Sequence, residues 1–241
     1  MSTDRFAQRR RAGNWERARR YVWAALALIV IGTLGWLIGW SNVFGVRSVD
    51  VSGESTLKPD VIRTEASVTL GQPLARVDIG AIEKRVRQLE RIETVDVGRS
   101  WPTTITIDVA ERTAIGWVLA GGEVKGLDRH GVLFRSYKKA PKDLVEVRIN
   151  ASNIREREKS MKEAAAVLQS IKGGDADLFQ GLDRIEAESI DSVELNLSKG
   201  RTVNWGSAEK AEAKLRVLRP LLRIEARTYD VSAPEQPTTR Q

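Results

Sequence analysis

His130 is the only imidazole in a chain of 241 residues that contains no cysteine. It stands in DRHGVLF, directly before Gly131, in what reads as a hairpin turn. A catalytic base or metal ligand needs partners, and one His without Cys cannot assemble the common zinc sets. The residue is therefore read as a solvated turn position. Asp175 and Asp177 in GGDADLFQG hint at a calcium loop, but Phe179 stands where a third oxygen ligand is needed and the glycine is displaced. That stretch reads better as a loop before the next element. The chain has no Gly-rich phosphate cradle, no G-x-S-x-G and no HExxH. Carboxylate pairs recur on the expected helices, where charge is ordinarily a solvated face. The expectation is a protein that is not an enzyme, with no cofactor, no metal and no small-molecule substrate.

The elements that position these residues begin with a hydrophobic run. YVWAALALIVIGTLGWLIGW, Tyr21 to Trp40, is 20 residues without a charge. At 1.5 Å per residue it covers about 30 Å, the thickness of bilayer hydrocarbon. Tyr21, Trp23, Trp36 and Trp40 lie towards its ends, where amphipathic rings favour the headgroup level. A cleaved signal peptide has a shorter apolar region and a small-x-small site, of which Gly39-Trp40-Ser41 is a weak version, so the run is read as a retained anchor. Residues 1–20 carry Arg5, Arg9, Arg10, Arg11, Arg17, Arg19 and Arg20 against only Asp4 and Glu16. Basic flanks stay cytoplasmic, which places the short tail inside and the long C-terminal part outside. The tail is read as a topology and anionic-lipid signal rather than as a nucleic-acid site. Ala25, Gly32 and Gly39 recur every seven residues and Gly35 completes a GxxxG with Gly39. Such a stripe suits packing against partner spans, and glycine is also simply common in membrane helices.

The remainder reads as two α+β domains. Residues 46–112 run strand, helix, helix, strand, strand. VRSVDVSG alternates and stops at Gly53, Pro59 opens a helix, Asp78 caps a second, and Ile105, Ile107 and Val109 alternate in a strand after Trp101-Pro102. From residue 113 to 233 the chain reads as a β-rich domain. AIGWVLAGGEVKGLDRHGVLFRS gives strands joined by Gly turns and LVEVRINAS another strand. Asn153 and Glu156 make a capping box for a helix that buries Met161, Ala164, Ala165, Leu168 and Ile171. SVELNLSKGRTVNWG reads as two strands, and AEKAEAKLRVLRPLL as a helix burying Ala211, Leu215, Leu218 and Leu222 that Pro220 should kink or end. TYDVSA reads as a last strand. PEQPTTRQ, residues 234–241, reads as a disordered tail too poor in apolar residues to fold.

Four stretches carry a resemblance: FGVRSVDVSG just past the hydrophobic run; SWPTTITIDVAER, closing on Glu111-Arg112; LDRHGVLF; and GRTVNWGSAEKAEAKLRVLRPLL followed by YDVSAPEQPTTR. In this order, behind a basic tail and a single span, the chain resembles the FtsQ/DivIB family of bacterial cell-division proteins. The resemblance implies a POTRA domain (β-α-α-β-β) at 46–112 and a second, β-rich domain at 113–233. It further implies a non-enzymatic scaffold of the divisome at the septum. Such a scaffold binds the small single-span coiled-coil proteins FtsB and FtsL and acts indirectly on the septal peptidoglycan synthase. The family binds its partner at the end of the second domain, where the last strand offers an edge and the last helix packs beside it. Carried onto this chain, that implies Tyr229, Asp230, Val231, Ser232 and Ala233, with Lys214 and Leu218 of the helix. The residues agree so far as TYDVSA is short, terminal and followed by Pro234, which cannot continue a ladder. The same strand could instead simply complete the sheet. Some family members have aromatic residues within and beyond the last strand, whereas here Pro234-Glu235-Gln236-Pro237 follows, so the contact side chains stay open. A POTRA-type polypeptide-transport or membrane-assembly module is the alternative, but it usually carries repeated units or a barrel, and neither is visible.

Overall fold

The computed structural model describes residues 4–151 and 153–241, with side chains from residue 19 onward. Arg5, Arg9, Arg10, Arg11 and Arg17 of the basic tail lie outside the described side chains. Two compact units divide between Glu111 and Arg112, and each is taken by itself.

The first unit opens with α1 (Asp4–Trp40). Its segment Arg19–Trp40 is 22 residues long with a mean hydropathy of 2.2, and none of it is buried. By length and composition it can cross a membrane. A methyl group added at Gly32, Gly35 or Gly39 would meet nothing, so that stripe is an open surface. Ser41 caps a 3-10 turn at Asn42–Phe44, its Oγ accepting from Val43 N. There follow β1 (Ser48–Ser52), α2 (Pro59–Ala66), a 3-10 turn at Leu74–Arg76, α3 (Ile79–Val86), β2 (Ile92–Ser100) and β3 (Thr104–Glu111). Pro59 occupies the first helical turn, and Asp78 caps α3 by accepting from Ala81 N at 3.0 Å. The sheet order is β1-β3-β2, with β1 parallel and β2 antiparallel to β3. Both helices cover one face, over a core that includes Ile62, Leu74, Ile82, Val86, Ile105 and Ile107. β1 ends at Gly53 because φ there is +83° and a Cβ would lie 2.0 Å from Val109 O.

The second unit contains β4 (Ala114–Ala120), β5 (Glu123–Asp128), β6 (Leu133–Tyr137), β7 (Val145–Ile149), α4 (Ile154–Gly174), α5 (Ala176–Gln180), β8 (Leu182–Ser189), β9 (Ser192–Leu197), β10 (Arg201–Gly206), α6 (Ala211–Leu221), β11 (Thr228–Asp230) and β12 (Thr238–Arg240). They form one sheet in the order β12-β11-β10-β9-β8-β7-β4-β5-β6. Asn153 Oδ1 accepts from Glu156 N at 2.9 Å to start α4. The helix buries Ala164, Ala165, Leu168 and Ile171 in a core shared with Ile185, Leu195, Val203 and Trp205. Two expectations need correction. β8, in the middle of the sheet, has no counterpart in the sequence reading, because register shifts at Leu182/Arg184 and Ala187/Ser189 break its alternation. The stretch 234–241 does not end as a disordered tail: Thr238–Arg240 returns antiparallel to β11. Its polar residues build the turn and its backbone builds the ladder, neither of which depends on apolar content.

Glu111, the last residue of β3, closes the first unit. Its carboxylate accepts from Ser55 N, Thr56 N and Leu57 N at 2.7–2.8 Å and from the Thr56 hydroxyl. It thereby fixes the loop that leads into α2. Burial works to raise its pKa, but these donors override it and hold the group at about 2 against an ordinary 4.5. A carboxyl depressed on folding stabilises the fold above pH 4.5 and loses that contribution as pH falls towards 2. Glu111→Gln should therefore cost about 2 kcal/mol at pH 7, allowing for partial exposure to water. The deficit should shrink between pH 4.5 and 2 in denaturant unfolding of the detergent-solubilised chain.

Candidate functional site: the terminal strand and its flanking groove

The positions singled out for chemistry have structural duties. His130 lies in the β5–β6 turn that Asp128 organises: its Oδ1 accepts from His130 N at 2.9 Å and Val132 N at 2.8 Å, while Oδ2 pairs with Arg112 at 2.5 Å. Asp128 is 1% exposed, so this pairing offsets the cost of burying its charge. Asp175 caps α5 by accepting from Leu178 N and pairs with Arg219 at 2.6 Å. Among the described residues no group of three His, Cys, Asp or Glu side chains is placed to hold a metal ion.

The far end of the second sheet is built from three elements. α6 starts at Lys210, in the left-handed region at φ 54°, and ends one residue after Pro220. Lys214 points inward at 2% exposure, its Nζ donating to Trp205 O at 2.9 Å and Ser207 O at 2.8 Å, 5.8 Å from the Trp205 ring centroid. Burial pushes its amine below the ordinary lysine range, against the pull of Glu163 and Glu209. Leu218 is buried beside it. β11 then runs parallel to β10, matching Thr202 with Thr228 and Asn204 with Asp230. Tyr229 is buried and its hydroxyl donates to Ile224 O at 2.7 Å. Val231 is also buried, and its N–H continues the ladder to Asn204 O at 3.0 Å. Burial works to raise the Asp230 pKa, but the Ser232 hydroxyl and N–H hold it below the usual carboxylate range.

The turn that follows is closed by Gln236 N donating to Ala233 O and by Lys210 paired with Glu235. β12 then lies against β11, with Thr228 opposite Arg240, Tyr229 opposite Thr239 and Asp230 opposite Thr238. The structure thus sorts the residues expected to meet a partner. Lys214, Leu218, Tyr229 and Val231 are interior; Asp230 is half-buried; Ser232 and Ala233 are exposed in the turn. β11 has neighbours on both sides, so its main chain is not the open edge that the sequence suggested. That edge is β12, whose residues Thr238, Thr239 and Arg240 are all exposed and which ends the strand order. The sequence signal for it was Thr-Thr, β-branched residues right after a proline that stops any earlier pairing.

Beside the β11–β12 pair lies a groove of 730 Å³ that Tyr229 and Gln241 help to line. Lys199, Arg201, Arg223 and Arg227 border it, with Glu225 as the acidic side chain among its lining residues. The Arg201 Nε is itself buried and has no hydrogen-bond acceptor among the described residues. Lys214→Met should remove two charge-assisted hydrogen bonds, cost about 2 kcal/mol and lower the melting temperature of the chain. Calorimetry of wild type and variant at pH 7 checks this.

Comparison with known proteins agrees with the fold. The FtsQ-type POTRA domain matches residues 44–112. Cell division protein FtsQ of Streptomyces bingchenggensis is 36% identical over 231 residues, covering 92% of this chain and 86% of that protein. The protein of the same name from Streptomyces collinus is 36% identical over 238 residues, covering 93% and 90%. The solved extracytoplasmic domain of the cell division protein DivIB from Geobacillus stearothermophilus matches at a TM-score of 0.34 and 14% identity, over 53% of this chain and 98% of that one. The family assignment rests on the two Streptomyces relatives, each matched over more than nine-tenths of this chain, and not on that distant structure. The chain belongs to the FtsQ family of cell division proteins.

Proposed function

We propose that this protein is a membrane-anchored, non-enzymatic scaffold of the cell-division machinery that captures its partners by strand addition at β12. The observation that carries this reading is the edge itself. β12 ends a nine-stranded sheet, is exposed along its length, and has no strand on its outer side among the described residues. Such an edge supplies main-chain donors and acceptors to an extended segment, and flanking side chains supply selectivity. The bordering cations Arg223, Arg227 and Lys199 favour a segment bearing carboxylates. FtsB-like and FtsL-like division proteins, small, single-span and coiled-coil, are the partners this family membership suggests, with the septal peptidoglycan synthase controlled indirectly through them. Arg19–Trp40 is the anchor in this reading, with the N-terminus cytoplasmic and both folded units outside, at the division septum.

Lys214, Leu218, Tyr229 and Val231 act by holding β11 and α6 in place, so they shape the edge without forming its surface. Asp230, Ser232 and Ala233 set the turn that delivers β12. In cells, a photoreactive residue at Thr239 should crosslink an FtsB-like partner, and one at Leu119, exposed on β4, should not. Arg223→Glu combined with Arg227→Glu should weaken capture at least tenfold, more so at low ionic strength, with little change in melting temperature. Capture at wild-type level after deletion of residues 238–241 would remove β12 from the account.

A further inference from the structure

The first unit carries an unexplained apolar surface at the end from which α1 emerges. Trp40 is 64% exposed, Val43 54%, Leu70 64% and Trp101 51%. They come from three stretches of sequence that the chain draws to one place. Val46 N donates to Gln72 O at 2.9 Å, Gly71 N donates to Val46 O at 2.8 Å, and Gly45 bridges Pro73. Arg47 N donates to Thr103 O at 2.8 Å, which brings in the Trp101-Pro102 turn. Phe44 and Trp101 meet edge to face at 6.1 Å, and the Arg76 guanidinium lies 4.2 Å from the Trp40 ring centroid. The approach at Gly45 is close enough that a Cβ would sit 2.8 Å from Gly71 O.

The three stretches that meet here are basic, and the first carboxylate beyond them is Asp78, the cap of α3. Stretches 40–47, 70–77 and 99–104 contain Arg47, Arg76 and Arg99 and no Asp or Glu. Arg99 pins the local turn by donating to Leu74 O and Val77 O at 2.9 and 2.7 Å. Arg47 and Arg76 are exposed. Exposed Trp and Leu beside arginine, continuous with an apolar helix, form the combination that sits in the headgroup layer of a bilayer.

We propose that this end of the POTRA domain docks on the outer leaflet. Trp101, Leu70 and Val43 enter the interface, and Arg47 and Arg76 contact lipid phosphates. This rests on the reading of α1 as a membrane anchor. It adds a second, peripheral attachment that fixes the tilt of the domain instead of leaving it to swing on residues 41–45. β3 runs from Thr104, at the docked end, to Glu111, so the loop at 53–58 held by Glu111 stands about 25 Å away from the lipid.

The native chain has no cysteine, so single labels are unambiguous. The full chain is reconstituted in phosphatidylethanolamine–phosphatidylglycerol vesicles with a bimane label at Leu70→Cys, Trp101→Cys, Lys58→Cys or Thr33→Cys. Headgroup-proximal nitroxide lipid should quench the labels at 70 and 101 at least threefold more than the label at 58, and iodide should show the reverse. Replacing phosphatidylglycerol by phosphatidylcholine should reduce the lipid quenching, and Arg47→Ser with Arg76→Ser should remove that dependence. Leu70→Cys, in an exposed loop, decides the matter even if Trp101→Cys perturbs its turn. Equal quenching at 58 and 70 with Thr33 still lipid-quenched would overturn the docking alone. Loss of quenching at Thr33 would overturn the anchor and the docking together. Shielding at 70 that arises only after a division partner is added would mean a protein interface and would also overturn it.

Discussion

A sheet that does not close leaves two outer strands whose main-chain N–H and C=O groups lack ladder partners on one side, and the second unit is organised around where that happens. Its nine strands run from β6 to β12. At the β12 end the outermost strand is three residues long and polar, preceded by Pro237, with Arg240 as its last residue. Shortness and charge blunt an edge against indiscriminate pairing. Under the proposed strand addition a partner would need more than main-chain bonds, and the basic groove beside β11 would offer a second contact. On that proposal, an edge that is poor alone and good with an acidic flank would be selective.

The buried residues around this edge make the geometry possible. Lys214 is costly to bury, and its two bonds to Trp205 O and Ser207 O offset that cost while tying α6 to the end of β10. Tyr229 fills space under α6 and uses its hydroxyl on Ile224 O, so β11 is held from both its apolar and polar ends. Asp230 accepts from Ser232 and so turns the chain that returns as β12. Removing any of these would move the edge without touching its surface. Loss of partner binding on such a change would not identify a contact.

The POTRA unit was legible from sequence because its elements obey local rules. Pro59 and Asp78 mark helix starts, and Ile105, Ile107 and Val109 alternate into the core. The second unit was legible where the same rules hold, as in α4 with its Asn153 cap. It was not legible at β8, where register shifts hide the period, nor at β12, where the polar Thr-Thr-Arg is held by its backbone ladder to β11 and not by an apolar pattern. Without that strand β11 reads as the end of the sheet, whereas β12 stands outside it. Resemblance points Lys214 to the partner surface, and packing turns it into the core. The duty of Glu111, clamping residues 55–57 across the sheet end, likewise depends on a contact between residues more than 50 positions apart.

Amide hydrogen exchange reads directly which main chain a partner joins. Exchange of the peptide spanning Thr238–Gln241 should slow when an FtsB-like partner is added to the full chain in detergent, while the peptide covering Thr228–Asp230, already paired on both sides, stays unchanged. Unaltered exchange at 238–241, or faster exchange at 228–230 as β12 is displaced, would contradict strand addition at β12.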